Sequence, residues 1–294
     1  MTSNTNTLNM AKVKLWTIAA IVIGISFLFM NFRGWMPNDG DEKVAYEISE
    51  RWNLPEGLRE VSGISWMDEN HIAAIQDEDG IIFIYDLESK KVIEEIVFGS
   101  AGDYEGLSVK GTNAYVLESD GTITVIENFQ DPNRKITSYE TSFDEKNNME
   151  SLELDVANNQ LLVIPKDHDI DSDNFKGVYA FSLKNHKIVS NPVMRLDMSN
   201  EVLKQFREKK MYRNFRPSDI AIHPKTKEIY MLEGVNPKLL VVDKNGIVKI
   251  GYRLDKKIFP QPEGITFSPS GELYISSEGK KDGLGTITKL KLKP

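Results

Sequence analysis

Residues 103–118 read DYEGLSVKGTNAYVLE: an acidic residue and a glycine, a short aliphatic strand, a polar turn, and a second aliphatic strand ending in an acid. The phrase is not unique in the chain. Ser62-Gly63-Ile64, Glu105-Gly106-Leu107, Glu150-Ser151-Leu152, Ser218-Asp219-Ile220 and Glu263-Gly264-Ile265 open five similar strands. Each is followed by a polar turn and an aliphatic run: HIAAIQDE, NAYVLES, QLLVIPK, EIYMLEG and ELYISSE. Successive copies, counted from Gly63, are 43, 45, 68 and 45 residues apart. Apart from the long interval, which contains an insertion, this matches the 40–50 residues of a four-stranded propeller blade.

Between the copies lie further β-type runs, IIFIYDL, TITVIENF, GVYAFSL and KLLVVDK, rich in β-branched and aromatic residues and ending in turn formers. The spacing predicts an all-β fold: a five-bladed β-propeller of four-stranded blades over residues 44–294. The fifth blade runs out of chain after EGITF, ELYISSE and GTITKLKL, so AYEISERWNL, residues 45–54, is expected to come round and supply its fourth strand. Such closure removes free sheet edges. The competing reading is a β-sandwich with accidental self-similarity. The long interval suggests a helical insertion at about 199–213, with Ser199 capping a helix over 200–211. It reads either as a solvated helix packed on the rim through Val202, Leu203 and Phe206, or as a basic lid carrying Lys204, Arg207, Lys209, Lys210 and Arg213.

The chain before residue 44 has a different character. Leu15–Met30 is an uncharged apolar run, extendable through Phe32; as a helix its 18 residues would rise roughly 27 Å, near the thickness of a hydrocarbon core. Lys12, Lys14 and Arg33 flank it, and Trp16 and Trp35 suit the interfaces. A cleaved signal peptide is the alternative, but no small-x-small site follows. We therefore expect a cytoplasmic tail (1–14), a single-pass anchor (15–32), a juxtamembrane linker (33–43) and a propeller on the extracytoplasmic side of the cell membrane.

EVSGISW, IQDEDGIIFIYDL, GDYEGLSV and PEGITF resemble the SdiA-regulated family of bacterial β-propellers (the YjiK/CarP type). The resemblance extends over most of residues 44–294: the Glu-Leu-Ser-Gly-Leu opening expected there appears as Glu60-Val61-Ser62-Gly63-Ile64, and Asp77-Glu78 and Asp103 to Gly106 stand as that family would have them. Blades three and four depart most, with Ser151 in place of Gly and Ser218-Asp219 in place of Glu-Gly. The resemblance implies an NHL-like propeller located in the envelope and binding calcium. It suggests calcium homeostasis or a phytase-like activity as the role.

In a propeller the first strand of each blade lines the channel and the second runs antiparallel, so the start of one and the end of the other share a face. The repeat therefore puts Glu105, Glu150 and Glu263, with Ser62 and Ser218, around one mouth. Asp77, Glu78, Glu118, Lys166-Asp167, Glu233 and Glu278 form a second tier. Two carboxylates about 6 Å apart repel by roughly 3 kcal/mol at an effective dielectric of 20, so such a ring needs a cation or protons. Oxygen donors without cysteine suit Ca²⁺; alternatively the glutamates cap strands by bonding neighbouring blades, with no metal. Asp169, Asp171 and Asp173 match the start of an EF-hand-like loop, but Asn174 stands where Gly is wanted and Ala180 where the closing Glu should be, which favours a solvated hairpin loop.

With 44 acidic against 36 basic residues, a net charge of −8 and no cysteine, the chain excludes disulfides, thiolate metal sites and a cysteine nucleophile, and argues against nucleic acid as a partner. His71, His168, His186 and His223 lack metal spacing, and no G-x-S-x-G, H-E-x-x-H, P-loop or G-x-G-x-x-G is present. Two functions remain. One is a membrane-anchored, calcium-binding propeller that docks an envelope protein or a small anionic ligand. The other is a calcium-dependent hydrolase, a phosphoesterase or lactonase, with a glutamate as base and Lys166, Arg213 or Arg216 holding the anion.

Overall fold

Five antiparallel sheets follow one another along the chain. Blade 1 comprises Val61–Trp66, His71–Gln76, Ile81–Asp86 and Lys91–Val97; blade 2 comprises Tyr104–Lys110, Asn113–Glu118, Ile123–Glu127 and Lys135–Tyr139. Blade 3 begins with Met149–Asp155, Gln160–Pro165 and Phe175–Ser182; blade 4 is Asp219–Ile222, Ile229–Glu233, Lys238–Val242 and Val248–Arg253. Blade 5 joins Pro262–Phe267, Leu273–Ser277 and Thr286–Leu292 to the N-terminal strand Tyr46–Asn53. The computed structural model describes residues 45–280 and 283–293. The expected tail, membrane anchor and linker lie outside them.

The first strands of the blades pack side by side in a ring, blade 5 closing on blade 1. The architecture is a five-bladed β-propeller with four-stranded blades. The ring closes as the repeat implies: Tyr46 pairs with Leu292 and Asn53 with Thr286, and Trp52 is buried with its indole N–H donating to Leu87 O at 2.9 Å.

Each blade is apolar on both faces because each is sandwiched between two others. The core is correspondingly divided into five clusters, one per blade–blade interface. The two-residue period of a strand sorts side chains between them. In blade 2, Ala114 and Val116 pack toward blade 1, while Tyr115 and Leu117 pack toward blade 3. The turns between first and second strands use left-handed residues at Gly111, Asn159, Lys227 and Gly271.

Two expectations are corrected. The insertion is not one α-helix over 200–211 but two 3₁₀ segments, Glu201–Phe206 and Met211–Asn214. Asn200, not Ser199, accepts the capping bond, from Val202 N–H; Ser199 bonds Asp197 instead. The tighter helix suits the sequence, since Leu203 and Phe206 are three residues apart and a 3₁₀ turn stacks them on one face. Both are buried between blades 3 and 4, with Val202 against them. Arg207 is extended and ends the turn, and Asn214 ties the segment down through bonds to Glu208 N–H and Met198 O. The outer edge of blade 3 is also split. Lys187–Ile188 pairs with one half of Phe175–Ser182 and Met194–Asp197 with the other. Between them runs Ser190-Asn191-Pro192, and Pro192 has no N–H to give a ladder.

Candidate functional site at the channel mouth

The inner strands begin with an irregularity that places the site. In four blades the pairing with the second strand slips by one residue, and the residue skipped is Ser62, Glu105, Glu150 or Glu263. A bulge re-aims the extra side chain, so the recurring acid of the phrase is turned out of the ladder and into the mouth. Ser62 Oγ donates to Tyr104 O at 2.7 Å and Ser218 Oγ to Pro262 O at 2.9 Å, each bonding the next blade. The three glutamates converge electrostatically on one group, Lys166. Its ammonium is ion-paired to Glu150 Oε1.

The second tier is set by strand phase. The ladder pairs Val61 with Gln76, Tyr104 with Glu118, Met149 with Pro165 and Pro262 with Ser277. One residue further on stand Asp77, Ser119, Lys166, Gly234 and Glu278. Successive side chains point to opposite faces, so Asp77, Lys166 and Glu278 join the glutamates while Glu118 and Glu233, one position earlier, do not. Glu233 is fully buried in an ion pair with Lys238 and accepts from Arg216 N–H at 2.9 Å. Burial and the Asp120 and Asp103 charges raise the Glu118 carboxyl. Glu78 is exposed on the rim. At Gly234 a side chain would meet Glu263, its Cβ lying 2.6 Å from Oε1; the missing side chain is the space Glu263 occupies.

One ammonium does not balance this many carboxyls. Burial lifts Glu105 to about 8 despite Lys166, with Asp103, Glu263 and Asp77 adding to the rise. Burial and the Glu263 and Asp77 charges lift Glu278 to about 8. Glu150, Glu263 and Asp77 are raised too, chiefly by burial. Burial works against the Lys166 ammonium, yet the Glu150, Glu263 and Glu105 carboxylates hold it above its usual range. Glu150 Oε2 and Asp77 Oδ1 are buried without a hydrogen-bond partner. Among the described residues no group of three carboxylates or imidazoles is already poised as a metal cage.

The remaining sequence candidates are placed apart. Asp169 is buried, accepting from Tyr179 Oη and Gly177 N–H, both at 2.6 Å. Asp173 faces His168 at 3.0 Å, and Asp171 lies 3.9 Å from Arg195. These three aspartates hold a loop rather than share a point. Arg216 grips Asp167 through Nε at 2.8 Å and a terminal nitrogen at 2.7 Å, and Arg213 lies on the Tyr212 ring and hydroxyl. Each of the three cations proposed for an anion therefore already has a partner. His71 pairs with Asp68, His186 stacks on Tyr139 and His223 accepts from the N–H groups of Lys225 and Thr226.

Three residues were not among the site candidates drawn from the sequence. Lys176 is buried behind the mouth, donating to Lys166 O at 2.8 Å and to Asp167 O; burial lowers its ammonium to about 8. Asp219 accepts from Leu152 N–H at 3.4 Å and Ile265 N–H at 2.8 Å, tying the inner strands of blades 3 and 5 to blade 4. Its signal in the sequence is an acid in a column otherwise small. The third, Glu153, lies deeper in the channel, two residues past Ser151.

Residues 42–280 match the family described as SdiA-regulated. The chain belongs to the SdiA-regulated family. A comparison with curated protein sequences finds no match. Among solved structures, a glutaminyl cyclase from Myxococcus xanthus aligns with a TM-score of 0.59 at 12% identity, covering 84% of this chain and 96% of that one. A virginiamycin B lyase from Staphylococcus aureus aligns at 0.45 with 14% identity, covering 82% and 73%. At 12% identity the cyclase shows a shared fold alone. The SdiA-regulated membership and the propeller agree in fold.

Proposed function

We propose that this SdiA-regulated propeller acts by binding, taking up Ca²⁺ at the acidic mouth, and that residues 15–32 anchor it to the cell membrane with the propeller on the extracytoplasmic side. The observation that carries the reading is the excess of carboxyls around Lys166. Glu105, Glu150, Glu263, Asp77 and Glu278 supply only oxygen donors, two of these residues hold an unpartnered buried oxygen, and the one ammonium among them, Lys166, acts on Glu105, Glu150 and Glu263. Oxygen donors in irregular array suit calcium better than magnesium, which demands a tight octahedron. The ion would compete with the Lys166 ammonium for these carboxylates. A binding role also accords with the engagement of Lys166, Arg213 and Arg216 by internal partners, which leaves the hydrolase alternative without an observation in its favour.

The test is calorimetric titration of calcium into chelator-treated full-length protein in detergent. The expected result is a dissociation constant of roughly 10⁻⁶–10⁻⁴ M, weakened at least tenfold in Glu105→Gln and Glu263→Gln and tightened in Lys166→Gln. A folded protein that gives no heat with calcium, and whose Tm calcium does not move, sinks the proposal.

A further inference from the structure

The deeper channel carries a second belt, two residues along each inner strand: Ser65, Ser108, Glu153, Ala221 and Thr266. Four of the five do the same work. Thr266 Oγ1 accepts from Trp66 N–H at 3.0 Å, Ser65 Oγ from Val109 N–H at 2.8 Å and Ser108 Oγ from Leu154 N–H at 3.2 Å. Glu153 Oε1 accepts from Ile222 N–H at 3.0 Å. Each bond joins one blade to the next, and a neutral hydroxyl suffices in three of them. The charge on Glu153 is therefore surplus to the belt. Its other oxygen reaches Leu154 N–H, at 3.1 Å, which Ser108 already serves, and the Ser108 hydroxyl also bonds the carboxyl; no cation is among its partners.

Glu153 lines a cavity of about 610 Å³ at the mouth opposite the acidic ring, where the inner strands end. Burial raises its carboxyl to about 7, and the side-chain charge acting most strongly on it is Asp155, of the same sign. A carboxylate in such a place is costly unless a cation joins it. The wall beside it is aromatic and firmly held. Trp66 packs on Tyr274 at 5.0 Å between ring centroids, and Phe267 is wedged against His223 and Tyr230 at 4.8 and 4.9 Å. At the rim Lys110 and Lys227 offset Asp68 and Asp155, so Glu153 decides the sign of the interior.

We propose that this second mouth is a binding site for a small organic cation, an alkylammonium or guanidinium, whose charge meets Glu153 and whose apolar part lies along Trp66 and Phe267. The aromatic wall contributes apolar contact with the alkyl part, and the carboxylate fixes orientation through a charge-assisted hydrogen bond. The site is separate from the calcium mouth and does not depend on it. Because the ligand needs the ionised carboxyl, affinity rises with pH through about 7; the titratable groups facing it are Asp155 and, from blade 4, Asp219, with Lys110, Lys227 and Asp68 at the rim.

The experiment uses full-length protein in detergent with n-butylammonium and n-butylguanidinium as probes, and butyrate and n-butanol as controls, read by saturation-transfer NMR and calorimetry. Both cations are expected to bind and the controls not. Binding should weaken at least tenfold in Glu153→Gln, and by roughly tenfold from pH 8 to pH 6 as the carboxyl protonates. Glu153→Ser, which copies the residue of blades 1 and 2, is a second variant should Gln perturb folding, and must lose the cation equally. Equal binding in either folded variant overturns the proposal, as does failure of both cations to bind the wild type at about 10 mM, well above the range of specific sites. Displacement of the probe by calcium, with the Glu153 variants still binding, would place it at the acidic mouth and overturn it likewise.

Discussion

Asp219 stands in the column where blades 1, 2 and 5 carry Gly63, Gly106 and Gly264 and blade 3 carries Ser151. Its carboxyl is buried and spans two neighbours, with one oxygen on Leu152 N–H and the other on Ile265 N–H. Burial raises its pKa well above the ordinary carboxyl value. Whatever its protonation, removing it strands two buried donors, each worth about 1–3 kcal/mol when left unpaired. Asp219→Ala should therefore lose roughly 2–4 kcal/mol of stability, read as the urea midpoint at unchanged slope. An unaltered midpoint would show that the bridge is dispensable.

The unit of design at the next scale is the inner strand with its bulge. Neighbouring inner strands approach so closely that a Cβ on Gly106 would lie 2.7 Å from Leu152 Cβ and 3.2 Å from Glu150 O. The glycine of the repeat phrase is thus a consequence of ring closure, and the acid before it is free to turn outward only because the ladder slips there. Gly106→Ala should cost about 1–3 kcal/mol as overpacking. It should also weaken calcium binding by moving the Glu105 bulge, measurable by thermal denaturation and calorimetry on one sample. A stable variant with full calcium affinity would mean the strands can separate without disturbing the mouth.

For the molecule as a whole, the channel carboxyls set a pH dependence. Asp77, Glu105, Glu150, Glu263, Glu278, Glu153 and Asp219 all have folded-state values raised above the ordinary ones, chiefly by burial. The folded state therefore holds more protons than the unfolded one, and stability falls as pH rises. The window runs from the ordinary carboxyl value, 4.5 for glutamate, to about 8. His223, lowered by burial, opposes this, as does Lys176, lowered to about 8, at the top of the window, while the lowered Asp86, Asp197, Asp243, Glu228 and Glu272 titrate below the window. In chelator the Tm should fall steadily from about pH 5 to about pH 8.5, and calcium should flatten the slope. A Tm that rises across this range would contradict the picture of a mouth starved of positive charge.

The blade count, the closing role of residues 45–54 and the recurrence of Glu105, Glu150 and Glu263 were all legible in the chain, because a repeat of strand and turn is local information copied five times. Which acids meet was not. Glu118 and Glu233 differ from Asp77 and Glu278 by a single residue of strand phase, and a one-residue offset sends a side chain to the other face. The insertion misled for a related reason: the spacing of Leu203 and Phe206 fits an α-turn and a 3₁₀ turn alike until their pocket between blades is known. Asp219 across three blades and Glu153 in its cavity exist only once the ring closes. Local periodicity determined the propeller; inter-blade packing, which fixes phase and burial together, decided the site.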